Sequence, residues 1–290
     1  MTTCFCETSD AFEQSAPFAL RVFIIPEYNP RTIRQAPDCA LEIADPRIGH
    51  QPDFWKLSVA ARHCHAYSAA MTDPETRLAI VHAAIAKASK LAGRAPEATT
   101  LIAVSKTKTV DEIIPLIAAG HRDFGENRVQ EAQSKWPALT ASTPGIRLHL
   151  IGQLQSNKAD EAVGLFDAIL SVDRLSLITA IGKAQDKVGR TPACFLQVNI
   201  GDEDQKGGCA VAHIPTLLIE ARIVGLNIVG LMAIPPAAVE PAPYFALLAK
   251  LARDHGLAQL SMGMSGDYET AVKLGATHIR VGTALFGERS

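Results

Sequence analysis

The chain has 290 residues, 48% hydrophobic and 20% charged, with a formal net charge of -2. That length and apolar content suffice for one sizeable core, and alternating α/β units can use all of it in a single domain. The near-neutral balance argues against a broad electrostatic grip on nucleic acid or anionic membrane, so any anion it binds should sit in a local pocket. No apolar run approaches the roughly 20 residues needed to span a bilayer.

Residues 1–70 read differently from the rest. Six prolines (Pro17, Pro26, Pro30, Pro37, Pro46, Pro52) break up short apolar pieces, and no helical period is sustained. Glu7, Asp10 and Glu13 oppose a secretory signal or a mitochondrial presequence. This part is read as a poorly ordered extension, or as lying upstream of a true start at Met71, and the protein as cytoplasmic. The six cysteines (Cys4, Cys6, Cys39, Cys64, Cys194, Cys209) show neither a disulfide framework nor paired zinc spacing. His63-Cys64-His65 lacks a fourth ligand at a defined spacing, so no metal is expected.

From Met71 onward the pattern becomes regular. Asp73 can cap a helix that starts at Pro74, in which Leu78, Val81, Ile85, Ala88 and Leu91 recur on one face until Gly93 stops it. Apolar strand-like runs then end near Lys106, Asn127, Gly152, Val172, Ile200, Ile234, Gly263 and Gly282. Helical patterns lie between them, for example Val110 to Ala119, Asp160 to Leu165, Leu175 to Val188, Ile214 to Ala221, Pro243 to His255 and Tyr268 to Leu274. Eight short strands separated by helices predict a single (β/α)8 barrel, an α/β fold with a closed parallel sheet, over residues 71–290. The dinucleotide-binding alternative lacks its G-x-G-x-x-G.

Barrel sites lie at the C-terminal ends of the strands, with phosphate commonly held after strands seven and eight. Strand one runs through Leu101-Ile102-Ala103-Val104 to Lys106, where an amine is well placed to attack a carbonyl. If the strand continues that far, Lys108 points to the same side. A free lysine has a pKa of about 10.4, so burial and a nearby cation such as Lys108 would favour its nucleophilic form. After strand seven come Ser261-Met262-Gly263-Met264-Ser265-Gly266-Asp267, in which Ser265 or Asp267 would cap the next helix. Strand eight gives His278-Ile279-Arg280-Val281-Gly282-Thr283, with Arg280 and Gly282 on one face. Two anion-friendly loops opposite a strand-end lysine describe a pocket for a phosphorylated aldehyde.

These stretches carry a resemblance. Ala103 to Lys108, Phe124-Gly125-Glu126-Asn127, His149 to Gly152 with Leu154 to Lys158, Gly230 to Pro235, Ser261 to Ser265 and Arg280 to Gly287 together resemble the pyridoxal phosphate homeostasis protein family, in order from about Met71 to the C-terminus. The resemblance implies a barrel of the alanine racemase N-terminal kind that holds pyridoxal 5'-phosphate as an imine on Lys106. It further implies phosphate contacts from Ser265, Gly282 and Thr283, with Arg280 facing the pyridine nitrogen and Asn127 beside the cofactor. Lys206 resembles a family lysine in the loop after strand five. Three positions depart from the pattern: Arg128 in place of a tyrosine, Gln153 in place of a proline, and Gly266 in place of an acid. His149, in an apolar run, is read as a core histidine.

Racemases of this fold recruit a second base from an added β domain, whereas this sequence ends with the barrel. The expected function is therefore buffering or delivery of pyridoxal 5'-phosphate, with apo-forms of pyridoxal phosphate enzymes as recipients and a monomer or weak dimer as the working form. The competing reading is a pyridoxal phosphate-dependent racemase or decarboxylase of narrow scope. A weaker one is a lysine-imine aldolase.

Overall fold

The computed structural model describes residues 73–237 and 239–287, and the expectations for residues 1–70 and for His63 to His65 lie outside them. Asp73 Oδ2 accepts the Thr76 N–H at 3.0 Å and opens helix α1, Pro74–Leu91, with proline at its first position. Leu78, Val81, Ile85 and Ala88 form its buried stripe. Strand and helix then alternate: β1 Thr100–Val104, α2 Val110–Ala118, β2 Asp123–Glu126, α3 Val129–Ser142, β3 Arg147–Leu150, α4 Ala159–Leu165, β4 Ala168–Val172, α5 Leu175–Val188, β5 Ala193–Val198, α6 Ile214–Ile223, β6 Ile228–Ala233, α7 Ala242–Asp254, β7 Gln259–Met264, α8 Tyr268–Lys273, β8 His278–Val281 and α9 Thr283–Phe286.

The eight strands pair in chain order and close as a parallel barrel. Closure comes from β8 against β1, with Thr100 opposite His278 and Ala103 opposite Val281. Most of the apolar burial lies between strands and helices, where residues such as Phe124, Trp136, Phe166 and Phe245 are fully enclosed. Each such side chain contributes about 1.5–3 kcal/mol relative to exposure. Inside the barrel a smaller cluster of Ile102, Ala168, Leu170, Phe195 and Met232 fills the centre. One layer towards the N-terminal end, His149 Nε2 and Asp123 Oδ1 lie 2.9 Å apart, so His149 is the core histidine expected.

Among the described residues no helix is long and apolar enough to cross a membrane, and no cluster of His, Cys, Asp or Glu is placed to hold a metal. Cys194 and Cys209 are unbridged and buried, and burial pushes both thiols up to about 12, which leaves them unreactive at neutral pH.

Candidate functional site

The mouth of the barrel departs from the sequence expectation first at Lys106. Strand β1 stops at Val104, so Lys106 and Lys108 are not alternating residues of a strand. Instead Ser105 to Lys108 form a turn, closed by the Lys108 N–H donating to the Ser105 carbonyl at 3.0 Å. Its third residue, Thr107, has φ +63°, a left-handed conformation that costs a β-branched residue on the order of 1–2 kcal/mol. The turn still delivers both lysines to one place. Lys106 and Lys108 line a recess of about 50 Å³ together with Val104, Gly282, Thr283 and Phe286.

Lys108 is less of a neighbouring cation than its sequence position implies. Its Nζ is 2.8 Å from Glu112 Oε1 and 5.8 Å from the centre of the Phe286 ring. The Lys108 ammonium and the Thr109 backbone hold the Glu112 carboxyl below its usual value. Glu112 in turn completes a capping box with Thr109 at the start of α2, so the second lysine is tied to the helix that follows the turn.

Across the recess the loops after β7 and β8 meet. Ser265 Oγ accepts the Gly282 N–H at 3.2 Å, which leaves the serine hydroxyl its own hydrogen to donate. Neither Ser265 nor Asp267 caps α8 through its side chain. Asp267 Oδ1 accepts the Met264 N–H at 2.5 Å instead, folding the loop back on itself because the carboxylate is spent on the turn. Gly282 has no steric need within the protein to be glycine: an added Cβ would meet Val104 only at 3.5 Å, ordinary contact, and its φ is -115°. Thr283 is exposed at the rim.

Arg280 lies deeper. It is 4% exposed, donates to Ser261 Oγ at 2.6 Å and to the Ala233 carbonyl at 3.0 Å, and so reaches across β7 to β6 inside the barrel. Burial pulls its pKa down to about 10, which keeps it cationic at neutral pH. Asn127 follows β2 directly and is half-buried. Its main chain is packed against Gly152, where a Cβ would fall 2.3 Å from the Asn127 carbonyl oxygen. The structure thus joins Lys106, Gly282 and Thr283 in one recess and Ser265 to Gly282, while Arg280 and Asn127 belong to the same end of the barrel without lining that recess. Lys206, after β5, is engaged with Glu203 Oε2 at 2.5 Å and the Pro235 carbonyl at 2.9 Å. Gln153 uses the side chain that a proline lacks to donate to Gln197 at 2.7 Å, and Gln197 donates to the Gly207 carbonyl beside Lys206.

Residues 81–290 match the family model described as "Alanine racemase, N-terminal domain". The chain is 43% identical over 219 residues to a pyridoxal phosphate homeostasis protein of Pseudomonas aeruginosa, covering 73% of this chain and 94% of that one. It is 37% identical over 229 residues to the Escherichia coli protein of the same name, covering 76% and 98%. The chain belongs to the pyridoxal phosphate homeostasis protein family. Among solved structures, PipY of Synechococcus elongatus, a structure described as having PLP bound, matches with a TM-score of 0.62 at 40% identity, over 70% of this chain and all of that one. An alanine racemase of Clostridium difficile matches at 12% identity with a TM-score of 0.59 over 75% of this chain and 57% of that one, a likeness of fold alone. A second cavity, about 530 Å³, lies at the opposite, N-terminal end of the barrel, among His82, His121, Arg122, Asp123 and Arg147. None of the expected family site residues lines it.

Sequence reading passed over Lys135. This α3 residue has only 8% of its side chain exposed, and its Nζ is 2.9 Å from both Glu126 Oε1 and Glu131 Oε1. Its signal was present: Lys135 falls on the buried stripe of α3 with Val129, Ala132, Trp136 and Leu139, an unusual place for a lysine unless it is paired.

Proposed function

We propose that this protein binds pyridoxal 5'-phosphate at the C-terminal mouth of its barrel and serves the intracellular homeostasis of that cofactor, buffering it or delivering it to apo-forms of pyridoxal phosphate enzymes in the cytoplasm. The observation that carries this reading is the meeting of Lys106, Gly282 and Thr283 in one recess with Ser265 bonded to Gly282. When bound, the cofactor supplies an aldehyde carbon to which a lysine amine can attach with loss of water. Lys106 is the attaching residue in this reading. The Ser265 hydroxyl, the Gly282 backbone and Thr283 take the phosphate, and a glycine that its own surroundings do not require fits close approach by a ligand.

Arg280 would temper the chemistry open to a bound ring. A guanidinium that stays cationic cannot accept a proton from a ring nitrogen, so a ring facing Arg280 remains a weaker electron sink than one facing a carboxylate. Asn127 stands beside the ring in this reading. The names of the curated relatives, homeostasis proteins, point the same way.

The test is to add pyridoxal 5'-phosphate to the full chain, reduce with borohydride and map the modified peptide by mass spectrometry. Label on Lys106, absent from Lys106→Ala, is expected; label confined to another lysine would remove the assignment. Incubation with amino acids in deuterium oxide is expected to show no catalytic exchange of the α-proton, and such exchange would favour the racemase reading instead.

A further inference from the structure

The turn that carries Lys106 is held from behind by a helix with no part in the proposed cofactor contacts. Lys135 Nζ donates to the Ser105 carbonyl at 3.0 Å and to the Lys108 carbonyl at 3.2 Å, the first and last residues of that turn. Its two carboxylate partners reach the same turn. Glu131 Oε1 accepts the N–H of Thr107 at 2.6 Å, the residue with φ +63°. Glu126 Oε1 accepts Ser105 Oγ at 2.7 Å and Trp136 Nε1 at 3.0 Å. An ordinary buried ion pair would join two helices or fill a gap between them; this one lies on main-chain groups of three of the turn's four residues, the Ser105 and Lys108 carbonyls and the Thr107 N–H.

We infer that Lys135 is a positioning residue for Lys106: it pins both ends of the Ser105–Lys108 turn, keeps Thr107 in its left-handed conformation, and thereby sets where the Lys106 amine stands at the barrel mouth. The inference rests on the proposed role of Lys106. Attachment of an amine to a carbonyl depends steeply on placement, since a misplacement of the order of 1 Å can cost about a hundredfold in rate. Burial raises the Glu131 carboxyl, but the hydrogen bonds from Lys135 and the Thr107 N–H outweigh it and hold Glu131 below its usual value, so that carboxylate stays charged at neutral pH.

The experiment follows covalent attachment of added pyridoxal 5'-phosphate to the full chain by absorbance, with the reduced product mapped by mass spectrometry. Lys135→Met keeps the side-chain stem and removes the charge. Attachment to Lys106 is expected to slow about tenfold or more, with a larger share of label on Lys108 and with competition by inorganic phosphate unchanged. Adding Thr107→Gly to Lys135→Met is expected to recover part of the rate, because glycine adopts a positive φ without help. A role confined to overall stability would move the unfolding midpoint with that change and leave the attachment rate of the folded variants at the wild-type value. Glu131→Ala removes the acceptor of the Thr107 N–H at a partly exposed position, and is expected to slow attachment in the same direction even if Lys135→Met fails to fold by circular dichroism. Wild-type rates in Glu131→Ala, wild-type rates in folded Lys135→Met, or a slow Lys135→Met that Thr107→Gly leaves unchanged, would each overturn the inference. Absence of label on Lys106 in the wild type would instead sink the proposed function and the positioning role with it.

Discussion

Two histidines in the lower half of the barrel tie single residues to the behaviour of the fold in acid. Burial lowers His278 and His121 from the usual 6.5 to about 4, so both are neutral in the folded state across the physiological range. Between pH 6.5 and 4 the unfolded chain binds protons there that the folded chain does not, so stability is present in full above about 6.5 and is lost as pH falls towards 4. Each contributes about 3 kcal/mol over that window. Asp123 moves the same way at lower pH: burial raises it, but His149 and Arg147 outweigh that and hold it below the usual carboxylate value. Urea unfolding at a series of pH values should show stability falling from pH 6.5 to 4, with a shallower fall in His278→Gln; an unchanged slope would contradict this account. At this scale the motifs named in the sequence meet in the fold at Lys106, Gly282 and Thr283, which line one recess, and at Ser265, which is bonded to Gly282. The sequence marked Lys135 only as a lysine on a buried stripe and did not give its partners, because two of them are main-chain carbonyls of a turn whose geometry only the folded chain defines.

Helices and strands were legible wherever an apolar period met a stop signal. Leu175 to Val188 is bounded by the αL glycine Gly189, and the observed α5 has those limits. Ends that depend on a neighbour were less so. Strand β1 stops two residues before Lys106 because, although the Ser105 N–H still reaches the Gly125 carbonyl of β2, the Ser105 carbonyl turns away to the Lys108 N–H, and Asp267 fails to cap α8 because its carboxylate is used at Met264. Strand β7 shows what such local geometry requires. The β7–β8 register shifts between Ser261 and Met264, and inside that shift Gly263 has φ +92°, with a notional Cβ only 2.5 Å from the Cβ of Ala271. Gly263→Ala is therefore strained twice, by backbone and by contact with α8, and should cost about 1–3 kcal/mol in urea-measured stability. It should also weaken cofactor binding, since the loop holding Ser265 follows directly. A variant as stable as the parent would show that β7 relaxes more readily than its packing implies. By contrast Thr109→Ala, which removes the capping box of α2, should cost about 1 kcal/mol and loosen the Lys108–Glu112 pair while leaving Lys106 in reach of the recess.

Closure is the property of the whole molecule. Every strand of the barrel finds both its neighbours within residues 100–281, from the β1–β2 pair at Ala103 and Phe124 to the β8–β1 pair that seals the ring. The recess is built from the two elements that meet at that seam, the turn after β1 and the loop after β8. The recess and the closure therefore share one seam: a chain ending before β8 would lose Gly282, Thr283 and Arg280 together with the partner of β1. A chain beginning at Met71 retains every one of these pairings and all of α1, whose buried stripe packs against α8 and α9 next to the seam. It is expected to unfold in a single cooperative transition with a midpoint within a few degrees of the full chain, and to trap the same borohydride-reducible label on Lys106. Starting instead at Thr100 removes Leu78, Val81, Ile85 and Ala88 from the core, four apolar side chains whose burial is worth several kcal/mol in sum, and should lower the midpoint markedly. Calorimetry of the two truncated chains beside the full one checks both statements. Equal loss in both would assign the first 70 residues to the domain, and no loss in either would make α1 dispensable to the seam.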